Sequence, residues 1–442
     1  MKRIGALILA MILAISVVGC SASQSSGQND AAQPSDSGGE SGGNKKGEVV
    51  ELSFWDMVWG PPEYIETAKK LVEQFNSEHP NIKVTYQSTP WNNWYQTFST
   101  AIASQTAPDV STGAGYQAFQ FYDMGEILPI DDVIEEWRKE GKLDDFQEGT
   151  IDTLKYDGHY VALPWALDIR VPFYRKDLFE AAGVQPPKNW DELREAAKKL
   201  SGNGKYGIVA PSDTGGTHYL YFLMLNNGGG LFTEDKKVDL MSERNMEAIK
   251  FFSDLVKDGS VNPAGAGFKG DDATKSFGQG DAAIIIKNPG FPSELPEIKD
   301  QIAIMEPLEG PHGDKGTIRW VNNIMIYKQT KHPEEAKLFL KWWSENNKPL
   351  WTEGHSAQLP ARISFANDEY FTSNPIIKLI LEKYVPIGKT TGAKYPSAFP
   401  ELNEIEGEGL MQTLMQELIL GKDVQETVKK AETRMKEIMG EK

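Results

Sequence analysis

A two-lobed α/β fold is what this chain predicts, and three observations carry that expectation. From Glu48 onward, stretches with strand-type alternation and stretches with helix-type periodicity follow one another, the pattern of α/β units with mostly parallel sheets. The roughly 395 residues from Glu48 to the end exceed what one hydrophobic core usually supports, so two domains are expected. Cys20 is the sole cysteine among 442 residues. Disulfide frameworks, thiolate metal sites and cysteine nucleophiles are therefore excluded, and core burial alone must hold the fold.

Val50, Leu52 and Phe54 alternate with Glu51 and Ser53, giving a strand that runs into Trp55-Asp56. After Pro61-Pro62, Ile65, Ala68, Val72 and Phe75 share one helical face, and Ile82, Val84 and Tyr86 alternate again, which completes a β-α-β unit. A second helix through Trp94, Phe98 and Ile102 feeds a short strand at Pro108-Asp109-Val110. Gly158 to Trp165 reads as a strand, and Val171 to Tyr174 leads to a helix over Lys176 to Ala182. Asn189 followed by Glu192 has the pattern of a reciprocal helix cap ahead of Leu193, Ala197 and Leu200. The alternation then restarts, with strand Tyr206 to Ala210, helices Tyr219 to Asn226 and Ser242 to Asp258, and strand Ala282 to Lys287. Trp320 to Tyr327 is a later strand, followed by a helix from Pro333 to Glu345 and amphipathic helices over Gly409 to Leu420 and Val424 to Met439. No internal repeat is visible.

Ahead of the fold, Lys2 and Arg3 precede an apolar run from Ile4 to Val18, the charged start and hydrophobic stretch of an export signal and short for a membrane span. Val17-Val18-Gly19-Cys20 resembles the bacterial lipobox, which implies cleavage after residue 19 and a lipidated Cys20 at the new N-terminus. An ordinary signal peptide with a chance cysteine, or a short membrane anchor, are the alternatives. Ser21 to Gly47 is nearly all Ser, Gly, Gln, Asn, Asp and Ala, a flexible tether with an r.m.s. reach of roughly 28 Å. The formal charge of −17, made more negative by loss of Lys2 and Arg3, argues against nucleic acid and anionic lipid as partners.

Phe54-Trp55, Pro108-Asp109-Val110, Leu163-Pro164-Trp165 with Tyr174 to Phe179, Phe277-Gly278-Gln279-Gly280-Asp281-Ala282-Ala283, and His332 to Ala336 follow one another in the order seen in extracellular solute-binding proteins of family 1. The chain resembles these sugar-binding components of ABC importers over essentially its whole mature length. Tyr395 to Phe399 is similar to the maltose-binding protein branch. The resemblance implies a periplasmic-binding-protein-like fold of type II, two α/β lobes joined by hinge strands around a ligand cleft. It places the N-terminal lobe at 48–166 plus 322–370 and the C-terminal lobe at 170–317 plus 376–442, after the signal peptide 1–19 and tether 20–47. Crossings fall near 166–170, 317–322 and 371–376. The implied function is capture of an oligosaccharide and its delivery to permease subunits, by a monomer tethered through Cys20 to the outer face of the membrane.

A sugar has weakly polar C–H faces and hydroxyl-studded edges, so its site needs flat aromatics and planar polar groups. Trp55, Asp56 and Trp59 follow the first strand, Trp91 and Trp94 the second. Trp165, Asp168 and Arg170 lie at the first expected crossing, and Trp320, Asn322 and Asn323 at the return. Strand carboxyl ends in open α/β sheets border the ligand crevice, so these positions are expected to converge there. The family resemblance adds Asp168 as a hinge carboxylate, the loop Gly113 to Gln117 with Tyr116, and Tyr219 and Asn288 from the C-terminal lobe. Phe291 stands where the family has an aromatic after Gly290, shifted in position, and Tyr395 and Phe399 match an aromatic platform loop. Arg170, Arg319, Arg362, Lys287 and His218 could meet a uronate carboxylate or pair with neighbouring acids.

Other signals carry less. Gly113 to Ala118 and Gly202 to Gly207 have dinucleotide-fingerprint spacing, but the first sits in the wrong β-α turn and the second precedes a strand. Asp144-Asp145 and Asp271-Asp272 lack calcium-loop spacing and read as solvated helix starts, and the six His form no zinc pair. No cofactor or metal is expected. A surface glycosidase or lyase using acids such as Asp56 and Asp168 is the alternative function. Paired carboxylates are too common in an acidic chain to favour it.

Overall fold

The computed structural model describes residues 49–395 and 398–441. The export signal, Cys20 and the tether lie outside the described residues. The first sheet is built from β1 (Val50–Met57), β2 (Ile82–Thr89), β3 (Val110–Gly113), β6 (Leu163–Ile169), β11 (Thr317–Ile326), β12 (Leu359–Pro360) and β13 (Gly388–Lys389). β4 (Lys155–Tyr156) and β5 (His159–Tyr160) form a separate hairpin. The second sheet holds β7 (Val171–Arg175), β8 (Tyr206–Ile208), β9 (Ala282–Lys287) and β10 (Ile302–Ile304), in the order β10-β7-β9-β8.

The expected β-α-β units account for the parallel part of the first sheet. Helix α1 (Pro62–Glu78) carries the chain from β1 to β2, and helix α2 (Trp94–Ala103) carries it to β3 on the other side of β1. Even positions of β1 face a layer in which Phe54 meets Phe339 and Trp343 edge-on at 5.0 and 4.8 Å, so Trp343 packs in the core. Strands β6 and β11 run antiparallel beside each other, pairing Arg319 with Ile169 and Trp320 with Asp168. Arg170 is the one residue between β6 of the first sheet and β7 of the second, so the chain changes sheet at that point. It returns between β10 and β11, where the Thr317 hydroxyl donates to the Arg170 carbonyl. Further on, Phe371 packs near Trp351 on the first sheet's side, whereas the Tyr384 hydroxyl donates to the Met305 carbonyl just past β10.

Local signals hold where caps are strong. Asn189 Oδ1 accepts from the Glu192 amide at 2.9 Å, and Glu192 Oε1 accepts from Asn189 Nδ2 at 3.1 Å. One helix starts earlier than expected, at Thr214 instead of Tyr219. Gly215-Gly216 looks like a breaker, yet Asp213 caps the Gly215 amide at 2.9 Å. A Cβ at Gly216 would stand 1.9 Å from the Pro211 carbonyl oxygen. That glycine serves close approach, and the longer helix brings Asp213 and His218 to the space between the sheets.

Candidate ligand-binding cleft

A cavity of about 510 Å³ lies between the two sheets, within the range of small-molecule sites. Trp59, Trp91 and Tyr116 line it from the first sheet's side, Asp168, Arg170, Trp320 and Asn322 from the crossing strands, and Asp213, His218, Lys287 and Asn288 from the second. Glu406, on the helix Pro400–Gly407, completes the wall.

The Arg170 guanidinium is fixed from three directions. It donates through Nη1 to Asp168 Oδ1, through Nε to His218 Nδ1 at 2.8 Å, and lies over the Trp320 ring at 5.2 Å. Burial, then the nearby Arg170 and Lys287 charges, hold His218 well below the ordinary histidine range, so it stays a neutral acceptor. Lys287 Nζ stands 3.6 Å from Glu294. Both cleft cations thus have carboxylate partners, as the ion-pair reading expects. Tyr116 sits between the charged groups, and its hydroxyl is held well above the ordinary range by burial, then by Glu406 and Asp168.

Aromatic rings make one wall. Trp59 meets Trp91 edge-on at 4.8 Å and Trp165 at 5.2 Å, and Trp91 Nε1 donates to the Val58 carbonyl at 2.7 Å. Polar atoms without a protein partner stand out against this apolar surface. Asn322 Nδ2 and Asn288 Oδ1 are buried at the cavity and have no hydrogen-bond partner among the described residues. A buried donor and a buried acceptor left open together are expensive unless a ligand or water completes them. The site is therefore built to pair with a molecule that both accepts and donates hydrogen bonds between aromatic walls.

Several expected positions lie away from the cavity. β1 runs to Met57, so Trp55 and Asp56 belong to the sheet, not to the crevice beyond it. Trp55 packs on Phe98 at 5.6 Å, and Asp56 is fully buried among Thr112, Tyr64 and Tyr86. Trp165, inside β6, lies beneath Trp59 and against Trp351. Trp94 packs on Tyr95 and Tyr116. Gly113 and Gln117 shape the neighbouring turn: Gln117 Oε1 accepts from the Ala114 amide at 2.5 Å, and a Cβ on Gly113 would meet that oxygen at 2.4 Å. Tyr219 ties the second sheet together, donating to the Val209 carbonyl and accepting from the Ile286 amide. Phe291 is core, between Phe173 and Phe277. Arg362 pairs with Asp145 at 3.0 Å and covers Phe146, on the far side of β12. Phe399 packs on Phe232 under Lys236, with Tyr395 against it. Asp271 stands at the cavity rim while Asp272 caps the Lys269 amide.

Sequence reasoning missed Asp213, Gln358 and Glu406 as cavity-lining groups. Asp213 was legible as a helix cap. Glu406 had no local signal, because its place depends on where a C-terminal helix docks.

The model of the bacterial extracellular solute-binding proteins matches residues 61–346. The chain belongs to that family. It is similar to a sugar transporter from Arthrobacter chlorophenolicus A6 solved with bound laminaribiose, at 38% identity and TM-score 0.84, covering 88% of this chain and 99% of that one. It is also similar to the arabinooligosaccharide-binding protein of Bacillus subtilis (strain 168), 27% identical over 78% of this chain and 77% of the relative. Maltose-bound MalE3 of T. maritima shares the fold at 22% identity and TM-score 0.76, covering 88% of this chain and 100% of that one. The family is one of solute binders, which supports the binding reading over the glycosidase or lyase alternative. No helix among the described residues is long and apolar enough to cross a membrane.

Proposed function

We propose that the protein captures a neutral oligosaccharide in the cleft and delivers it to the permease subunits of an ABC importer. The observation that carries this reading is the open donor on Asn322 and open acceptor on Asn288 beside the Trp59–Trp91 wall, with both cleft cations already paired. Trp59, Trp91, Tyr116, Asp168, Arg170, Asn288, Trp320, Asn322 and Glu406 are the residues that meet the ligand. The lobes divide as 48–166 plus 322–370 and 170–317 plus 376–442, with hinges at the three crossings. Lipid on Cys20 holds a monomer at the outer face of the membrane, and ligand leaves the cleft unchanged.

Laminaribiose, arabino-oligosaccharides and malto-oligosaccharides are the panel for a thermal-shift screen of the purified protein. A ligand at 100 times its dissociation constant stabilises by about 2.7 kcal/mol. At least one should raise the melting temperature and come back intact by mass spectrometry after a day. No shift with any sugar refutes the reading, and protein-dependent cleavage refutes its non-enzymatic part. Separately, Cys20→Ser should leave melting unchanged and move the protein from the detergent to the aqueous phase on phase partitioning. A variant retained in detergent as fully as the wild type would overturn the lipid anchor.

A further inference from the structure

Thr112 and Asp56 touch no part of the cavity, yet both are fully buried beneath its aromatic wall. The Thr112 hydroxyl has one proton and two lone pairs. It donates the proton to Asp56 Oδ1 at 2.6 Å, and Oγ1 accepts from the Met57 amide and from Trp59 Nε1, each at 3.0 Å. All of its hydrogen-bonding capacity is used. Asp56 is in turn oriented by two phenols, Tyr64 at 3.0 Å and Tyr86 at 3.3 Å, both donating to Oδ2. No cation pairs with Asp56 among the described residues, and burial pushes its carboxyl up to about 7 against the pull of the Thr112, Tyr64, Tyr86 and Trp59 donors. A buried carboxyl kept without a countercharge is costly, so a purely structural account of it is weak.

The geometry points to a positioning relay in which Asp56 turns the Thr112 hydroxyl so that its lone pairs face Trp59, fixing the indole and, through its edge contact, the half-buried Trp91 ring that meets the sugar. This deepens the sugar-binding reading and rests on it for the affinity part alone. The residues come from three places: Asp56 and Met57 from β1, Thr112 from β3, and Trp59 from the segment after β1. Because β1 and β3 are paired strands, the relay references the aromatic wall to the sheet and not to the loops that carry it.

The experiment follows the Trp59 indole N–H cross-peak in the protein labelled with ¹⁵N-tryptophan, assigned by its loss in Trp59→Phe, together with laminaribiose affinity. Thr112→Val, which keeps shape and removes the hydroxyl, should move the peak toward a free indole and weaken laminaribiose binding tenfold or more. Thr112→Ser should restore both. Asp56→Asn should move the peak with Thr112 intact, and it carries the test if Thr112→Val does not fold. An unmoved peak in Thr112→Val or Asp56→Asn, or a Thr112→Ser variant as impaired as Thr112→Val, overturns the relay. The peak needs no ligand, so a wild type that binds no sugar of the panel while its indole responds to Thr112 removes the sugar reading and leaves the relay standing.

Discussion

Gly290→Val is expected to abolish ligand-driven closure and to weaken binding at least tenfold, about 1.4 kcal/mol. Gly290 follows β9 of the second sheet, and its amide donates to the Ala357 carbonyl at 2.9 Å. The Ala357 amide in turn donates to the Trp59 carbonyl at 2.9 Å, so three segments are clasped at one rim of the cleft. The backbone of Gly290, at φ −78° and ψ −5°, suits any residue. Space is what forbids a side chain, since a Cβ would stand 2.5 Å from the Ala357 Cα. Backbone cannot yield as a flexible side chain can, so the two sides must part. Packing within each sheet is untouched, and melting without ligand should change little. Small-angle scattering checks the result: wild-type protein should contract when saturated with its sugar, and Gly290→Val should not. Equal contraction and equal affinity in the variant would remove this clasp from the closing mechanism.

Glu406→Gln is expected to stabilise the protein at pH 8 by up to about 3 kcal/mol and to have little effect at pH 5. Burial raises the Glu406 carboxyl from 4.5 to about 7, with only the Tyr221 hydroxyl, at 2.8 Å, pulling the other way. The helix that carries it is pinned from both sides. Asn403 donates to Gln120, and a Cβ on Gly407 would meet the Tyr95 ring at 2.4 Å. The cations around that helix are engaged with other carboxylates, Lys236 with Glu401 and Arg434 with Glu408. The folded state therefore holds this proton more tightly than the unfolded chain does. Its contribution is complete below about pH 4.5 and is lost as pH rises to about 7, where the folded carboxyl ionises without a partner. Asp56, raised from 3.8 to about 7, acts in the same direction. Calorimetric melting at both pH values measures the difference. If the gap between wild type and Glu406→Gln does not widen from pH 5 to pH 8, the carboxyl is not the buried acid described.

How much of the site was readable depended on the reach of each signal. Strand and helix periodicity is local, so Ala282–Lys287 and the cap at Asn189 could be placed from a few neighbours. Trp59 and Trp91 stand beyond strand ends and line the cavity, whereas Trp55 and Trp165 lie within strands and turn into the layers. A strand that runs on from Phe54 to Met57 is enough to move Asp56 from the crevice into the core, since alternate residues face opposite sides. The family resemblance located Asp168 and Asn288 at the cleft but also suggested Tyr219, whose hydroxyl is taken up by the Val209 and Ile286 backbones.

The sequence by itself determined the alternation of strands and helices, the α/β class and the family, because these rest on periodicity and on ordered motifs. The tertiary structure alone decided that Thr112 holds Trp59 and that Glu406 reaches the cleft from the C-terminal helices. Those arrangements join residues far apart in sequence, 53 positions for Trp59 and Thr112 and 185 for Tyr221 and Glu406, through strand register and helix docking. Such contacts are set by which faces bury together, a property of the packed chain that no local stretch of residues encodes.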